Sequence, residues 1–204
     1  ELAISGRGRI HVDEFPDHFH EQQVAHSNAL QCRLADGTPY FVGPLARINH
    51  FAEQLHPRAA AALERAALRL PVRNPYLSIV VRSIEIVHAF AEAIDIIDGQ
   101  LEQLEPSHVE GTIRAGSASG CSEAPRGICW HRYEIDDQGL IVDARIVPPT
   151  SQNQARIEQD LVAIAPQILA LDHAAATLRC EQLIRSYDPC ISCATHFLRL
   201  EIER

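Results

Sequence analysis

Apolar positions recur every three or four residues over much of this chain, and that spacing predicts helices. From Phe51 to about Leu70, Ala and Leu alternate with Glu and Arg in a helical run that Pro71 ends. A second helix is predicted from about Pro75, a residue suited to a first turn, to about Leu104, with Pro106 closing it. Val80, Ile84, Val87, Ala91 and Ile94 form its expected buried stripe. A third should follow Pro148-Pro149-Thr150-Ser151, with Ile157, Leu161 and Ile164 inward and Pro166 ending or kinking it. The last runs from about Asp172 to Tyr187 on the apolar face Ala176, Cys180, Leu183, Ile184 and Tyr187. It stops at Asp188-Pro189, because a residue before proline avoids the helical region.

Elsewhere the period is two, or there is none. Trp130–Ile135 and Leu140–Val147 flank Asp136-Asp137-Gln138-Gly139, which reads as a β-hairpin with a Gly-containing turn. Residues 111 to 127, rich in Gly and Ser, read as a small-residue loop, and residues 197 to 202 alternate like a strand. Residues 1 to 50 are short segments punctuated by Pro16, Gly37, Pro39, Gly43 and Pro44; their histidines show no zinc-protease spacing and read as a solvated, acid-flanked segment. The expected class is α+β: long packed helices with a small antiparallel hairpin that carries the Arg126 loop beside the Cys190 turn.

At 204 residues the chain can bury a proper core, as one domain or one domain with a lobe. A net charge of -9 argues against a nucleic-acid or anionic-membrane partner. Every long apolar stretch is broken by Arg, Glu or Asp, so no membrane span is expected. No secretory leader is visible, and the opening at Glu1 reads like the interior of a longer sequence. Six scattered cysteines suit a reducing compartment, with thiols used for metal or packing.

The sharpest chemistry lies in Asp188-Pro189-Cys190-Ile191-Ser192-Cys193-Ala194-Thr195-His196. Two thiolates three residues apart on an Asp-Pro turn, then an imidazole, select a soft or borderline metal such as zinc, iron, nickel or copper. A zinc ribbon would need a second knuckle, and a thioredoxin-type pair would open a helix after a strand rather than follow one. Metal ligation is the preferred reading of Cys190, Cys193 and His196. Cys180 reads as a core residue, Cys121 and Cys129 as packing, and Cys32 stands alone. In Ser122-Glu123-Ala124-Pro125-Arg126-Gly127, Arg126 is a fixed cation that could overhang an electron-rich centre; a capping salt bridge would look the same.

Together, Glu123-Ala124-Pro125-Arg126-Gly127, the hairpin ending in Ile146-Val147-Pro148, and Asp188-Pro189-Cys190-x-x-Cys193-x-x-His196 resemble the large subunit of nickel–iron hydrogenases. Phe41–Arg47 and Ser151–Arg156 resemble its cytoplasmic, bidirectional branch, which serves NAD(P) or similar carriers. The related quinone-reductase subunits of respiratory complex I lack this thiolate pair. The resemblance covers nearly the whole chain, 1-204, as the C-terminal portion of such a subunit.

That resemblance implies a Ni–Fe centre held by four cysteines, its iron carrying CO and cyanide. Cys190 would be a terminal nickel thiolate and Cys193 a nickel–iron bridge. H2 would be split heterolytically, the proton passing to the Arg126 guanidine or the Cys190 thiolate. Asp188 would hold Arg126 by a charge-assisted hydrogen bond, beside Pro125. Magnesium or iron is the expected occupant at His196, where a maturation endopeptidase cuts, so 197-204 would be a cleaved tail. Implied partners are an iron–sulfur small subunit, diaphorase subunits and nickel chaperones.

This sequence departs from the family in lacking the N-terminal Cys-x-x-Cys and the proton-relaying Glu of that half. Pro149 also stands where many members carry a Ser or Thr that binds a cyanide. With half the ligands, the chain alone is expected neither to hold the cluster nor to turn over H2. The rival reading is a non-catalytic zinc or thiolate module in which Cys190, Cys193 and His196 are structural.

Overall fold

The computed structural model describes residues 1–99, 106–108, 111–190, 192 and 198–202. It opens with two antiparallel pairs, β1 (Leu2–Ile4) with β2 (Gly8–Ile10), and β3 (Phe19–Gln22) with β4 (Gln31–Leu34). The short helix α1 (Phe15–His18) lies between the pairs. Helices α2 (Pro44–Phe51), α3 (Pro57–Arg65) and α4 (Ser78–Gly99) follow. Strands β5 (Gly116–Ala124), β6 (Gly127–Ile135) and β7 (Ile141–Val147) then form a three-stranded antiparallel meander, before α5 (Pro149–Ile168) and α6 (His173–Ser186). The class is α+β, as expected.

Four expectations change. The single helix expected over 51–70 is not formed: α2 already ends at Phe51, and α3 ends at Arg65, two residues before the left-handed Ala67. Between them Leu55 and His56 are extended with ψ 139 and 144, the latter because a residue before proline is pushed there. The Gly/Ser segment expected to be a loop becomes strand β5 from Gly116 onward. Its weak intrinsic preference is overridden by pairing with the aromatic and β-branched β6, so the expected hairpin is two-thirds of a meander. On α4 the buried line is Ser78, Val81, Ile84 and Ala91, while Val87 and Ile94 are exposed. Its partners α2 and α3 are only 8 and 9 residues long and cannot cover 22. In the tail, Leu198, Leu200 and Ile202 do share a partly buried side, packing on the cluster of Ile168, Ala176 and Cys180, but residues 198–202 join no strand; Phe197 lies outside the described residues.

The main core gathers Phe15, Phe19, Cys32, Leu34, Trp130 and Val147. Phe15 stacks on Trp130 with ring centroids 4.8 Å apart, and the indole N–H donates to the Val12 carbonyl at 2.8 Å, so the buried polar end of Trp130 is satisfied. No helix among the described residues is long and apolar enough to cross a membrane.

The first turn of α5 is polar yet buried, and it locks the elements that carry the site. The Gln152 amide donates to the Ile128 and Val147 carbonyls at 2.8 and 3.0 Å and accepts from the Tyr40 hydroxyl at 3.1 Å. The Asn153 carbonyl oxygen accepts from the Val42 N–H at 2.8 Å. Fully paired groups of this kind fix one arrangement, because any slip strands a desolvated amide.

Candidate functional site

The Arg126 turn is a tight one. Ala124 pairs with Gly127, leaving only Pro125 and Arg126 at the tip of the β5–β6 hairpin. Pro125 fixes its own φ, and Gly127 supplies φ +135, which a side chain would resist. Asp188 approaches from the other side. Helix α6 ends at Ser186, and Asp188 takes a left-handed φ of +51 before Pro189 turns the chain away.

The two residues meet. Arg126 Nε donates to the Asp188 carbonyl oxygen at 2.5 Å and lies 3.3 Å from its carboxylate Oδ2. Among the described residues the terminal guanidinium nitrogens of Arg126 make no hydrogen bond. A second cation, Arg82 of α4, stands 3.6 Å from the same carboxylate. Side-chain exposures of 39% and 44% mean that the Arg126–Asp188 pair adds little stability; its effect is orientation.

Cys190 lies two residues beyond Asp188. Its backbone N–H donates to Thr150 Oγ1 at 3.3 Å, and Thr150 is buried in the first turn of α5. Its sulfur lies 3.2 Å from the Ser192 hydroxyl. Pro149 offers no hydroxyl; the neighbouring Thr150 Oγ1 accepts from the Cys190 amide, a contact that does not use its own O–H. Cys193 and His196 lie outside the described residues. Among the described residues no three His, Cys, Asp or Glu side chains gather as a metal nest. A thiolate such as that of Cys190 is a ligand type that soft metals select.

Sequence reasoning gave no role to Arg47, Arg82 or Thr150. Arg47 of α2 pairs bidentately with Glu85 of α4 at 2.7 and 2.8 Å. It also reaches Glu123 at 2.5 Å and the Ala124 and Pro125 carbonyls at 2.9 Å each. Burial alone would lower its pKa, but the Glu85 and Glu123 carboxylates outweigh burial and raise it, keeping it charged. Burial pushes Glu123 above the usual carboxylate range, with Arg47 pulling the other way. One signal was available: Arg82 and Glu85 are three apart on a helix and so share a side.

The family model for nickel-dependent hydrogenases matches residues 30–196. The chain belongs to the nickel-dependent hydrogenase family. It is 31% identical over 195 residues to the sulfhydrogenase 1 subunit alpha of Pyrococcus furiosus, covering 92% of this chain and 45% of that one. It is 34% identical over 167 residues to the beta subunit of the NAD-reducing hydrogenase HoxS of Cupriavidus necator, covering 77% and 34%. A crystal structure of an NAD+-reducing [NiFe]-hydrogenase in the H2-reduced state superposes with a TM-score of 0.77 at 28% identity, over 91% of this chain and 43% of that one. The chain thus spans about half the length, or less, of these relatives.

In this hydrogenase-family chain the sulfurs outside the motif are held neutral. Burial raises the Cys32 thiol from 9.0 to about 11, and burial likewise takes Cys121 to about 11. A raised thiol pKa favours the protonated form. That part of the stability is therefore present below pH 9.0 and is lost as pH rises through about 11. At pH 8, iodoacetamide should leave the buried Cys32 unmodified in the folded protein and label it in denaturant, read by peptide mass. Rapid native labelling would show that this thiol is not buried as described.

Proposed function

We propose that this segment forms the Arg126–Asp188–Cys190 flank of a Ni–Fe centre in a hydrogenase large subunit that oxidises H2 reversibly. The observation that carries this is the guanidinium of Arg126 held on Asp188, two residues from a thiol on a rigid turn. When bound, the nickel and iron supply the Lewis acidity and redox capacity that polarise H2. Cys190 and Cys193 would be half of the thiolate set, with the other Cys-x-x-Cys supplied from outside these 204 residues. Thr150 orients the Cys190 turn through its backbone amide, and Pro125 stiffens the Arg126 turn. Asp188 keeps Arg126 in place through Nε, and the terminal nitrogens of Arg126 would take part in proton exchange. His196 is read as holding magnesium or iron, and residues 197 to 204 as a maturation-cleaved tail.

Electrons would leave through an iron–sulfur small subunit to an NAD(P)-type carrier by diaphorase subunits in the cytoplasm; nickel chaperones and a maturation endopeptidase would prepare the subunit. A relative and a solved structure of the NAD-reducing type support this branch. Elemental analysis of the complex purified from its host is the test. About one nickel and iron per large subunit, with H2-dependent carrier reduction, is expected. Stoichiometric zinc without nickel would replace the proposal with the structural thiolate module.

A further inference from the structure

We infer that Arg47, braced by Glu85, is the positioning residue that sets where Arg126 stands. The inference rests on the function proposed above. A guanidinium has five N–H donors, and Arg47 directs them to five acceptor atoms: both Glu85 oxygens, one Glu123 oxygen, and the Ala124 and Pro125 carbonyls. Arg47 and Glu85 are each only 20% exposed, so this pairing is shielded from solvent far more than the Arg126–Asp188 contact it supports.

The two carbonyls it grips belong to the residues just before Arg126. They fix the peptide planes from which the Arg126 side chain departs. Helix α4 braces the other side as well, since Arg82, one turn before Glu85, contacts Asp188. Both members of the Arg126–Asp188 pair are thereby referenced to one rigid helix. Lysine cannot reproduce this, because a single ammonium has three donors and no planar fork.

The test uses the purified native complex carrying Arg47→Lys, Arg126→Lys, or both, with Glu85→Gln as a milder variant. Arg47→Lys should lower kcat for H2 oxidation about tenfold to a hundredfold, the usual cost of disturbing a supporting residue. KM for H2 and nickel content should stay unchanged, and Glu85→Gln should fall in the same direction. In the Arg126→Lys background, Arg47→Lys should cost nothing more, because it acts only through Arg126. Amide exchange at Arg126 and Gly127 should quicken in Arg47→Lys. Unchanged exchange, losses that multiply, or loss of nickel would each overturn the positioning role. A wild-type complex without nickel would instead sink the functional reading, and the exchange measurement still decides whether Arg47 holds the turn.

Discussion

Arg126→Lys is expected to lower H2 oxidation about a hundredfold to a thousandfold while leaving nickel content intact, within the usual range for losing a positioned acid or base. The sulfurs proposed as metal ligands and the Thr150 contact are untouched by this change, so loading should survive. What is lost is geometry. The Arg126 Nε serves Asp188, while among the described residues the two terminal nitrogens make no hydrogen bond. A lysine that reaches Asp188 spends its only nitrogen there. Asp188→Asn separates orientation from charge: asparagine tolerates the left-handed φ of +51, so the turn persists while the carboxylate disappears. It should cost less than Arg126→Lys, because the Arg126 contact to the backbone carbonyl remains. Turnover per nickel, measured by H2-dependent dye reduction, checks both variants. Wild-type turnover in Arg126→Lys would remove Arg126 from the chemistry.

Much of the frame around that site was legible from local signals. The turn at Asp136–Gly139 falls where the Gly-containing tetrapeptide put it, with Gly139 at φ +79. Helices α5 and α6 begin and end within a few residues of their proline and aspartate boundaries, because caps and proline act over one turn. The failures are long-range in origin. Nothing inside Gly116–Ala124 favours a strand; the partner β6 imposes it. Arg47 reaches residues 38 to 78 positions away, and such contacts leave no periodic trace. Apolar spacing on α4 was real, but which positions are covered depended on how short α2 and α3 are. The meeting of Arg126 with Asp188 was foreseen through family resemblance rather than spacing. The structure adds Arg82 as a second cation on Asp188.

Gly43→Ala should destabilise the protein by about 3 kcal/mol, combining a backbone region almost reserved for glycine with overpacking against an unyielding neighbour. Gly43 has φ +101, and an added Cβ would lie 2.5 Å from the Arg126 carbonyl oxygen and 2.9 Å from its carbon. Neither atom can swing aside, because Arg126 sits in a two-residue turn and Arg47 grips the carbonyls just before it. A drop of about 6 to 12 °C in Tm is expected for a domain of this size. Gly37→Ala is the control: φ is +83, but nothing lies within 4 Å of the new carbon. It should cost only about 1 kcal/mol, the conformational part alone. Equal losses in the two variants would mean that the α2 entry and the Arg126 turn are not in contact. If Gly43→Ala is the worse, the close approach is real, and the segment entering α2 presses directly on the turn that holds the guanidinium.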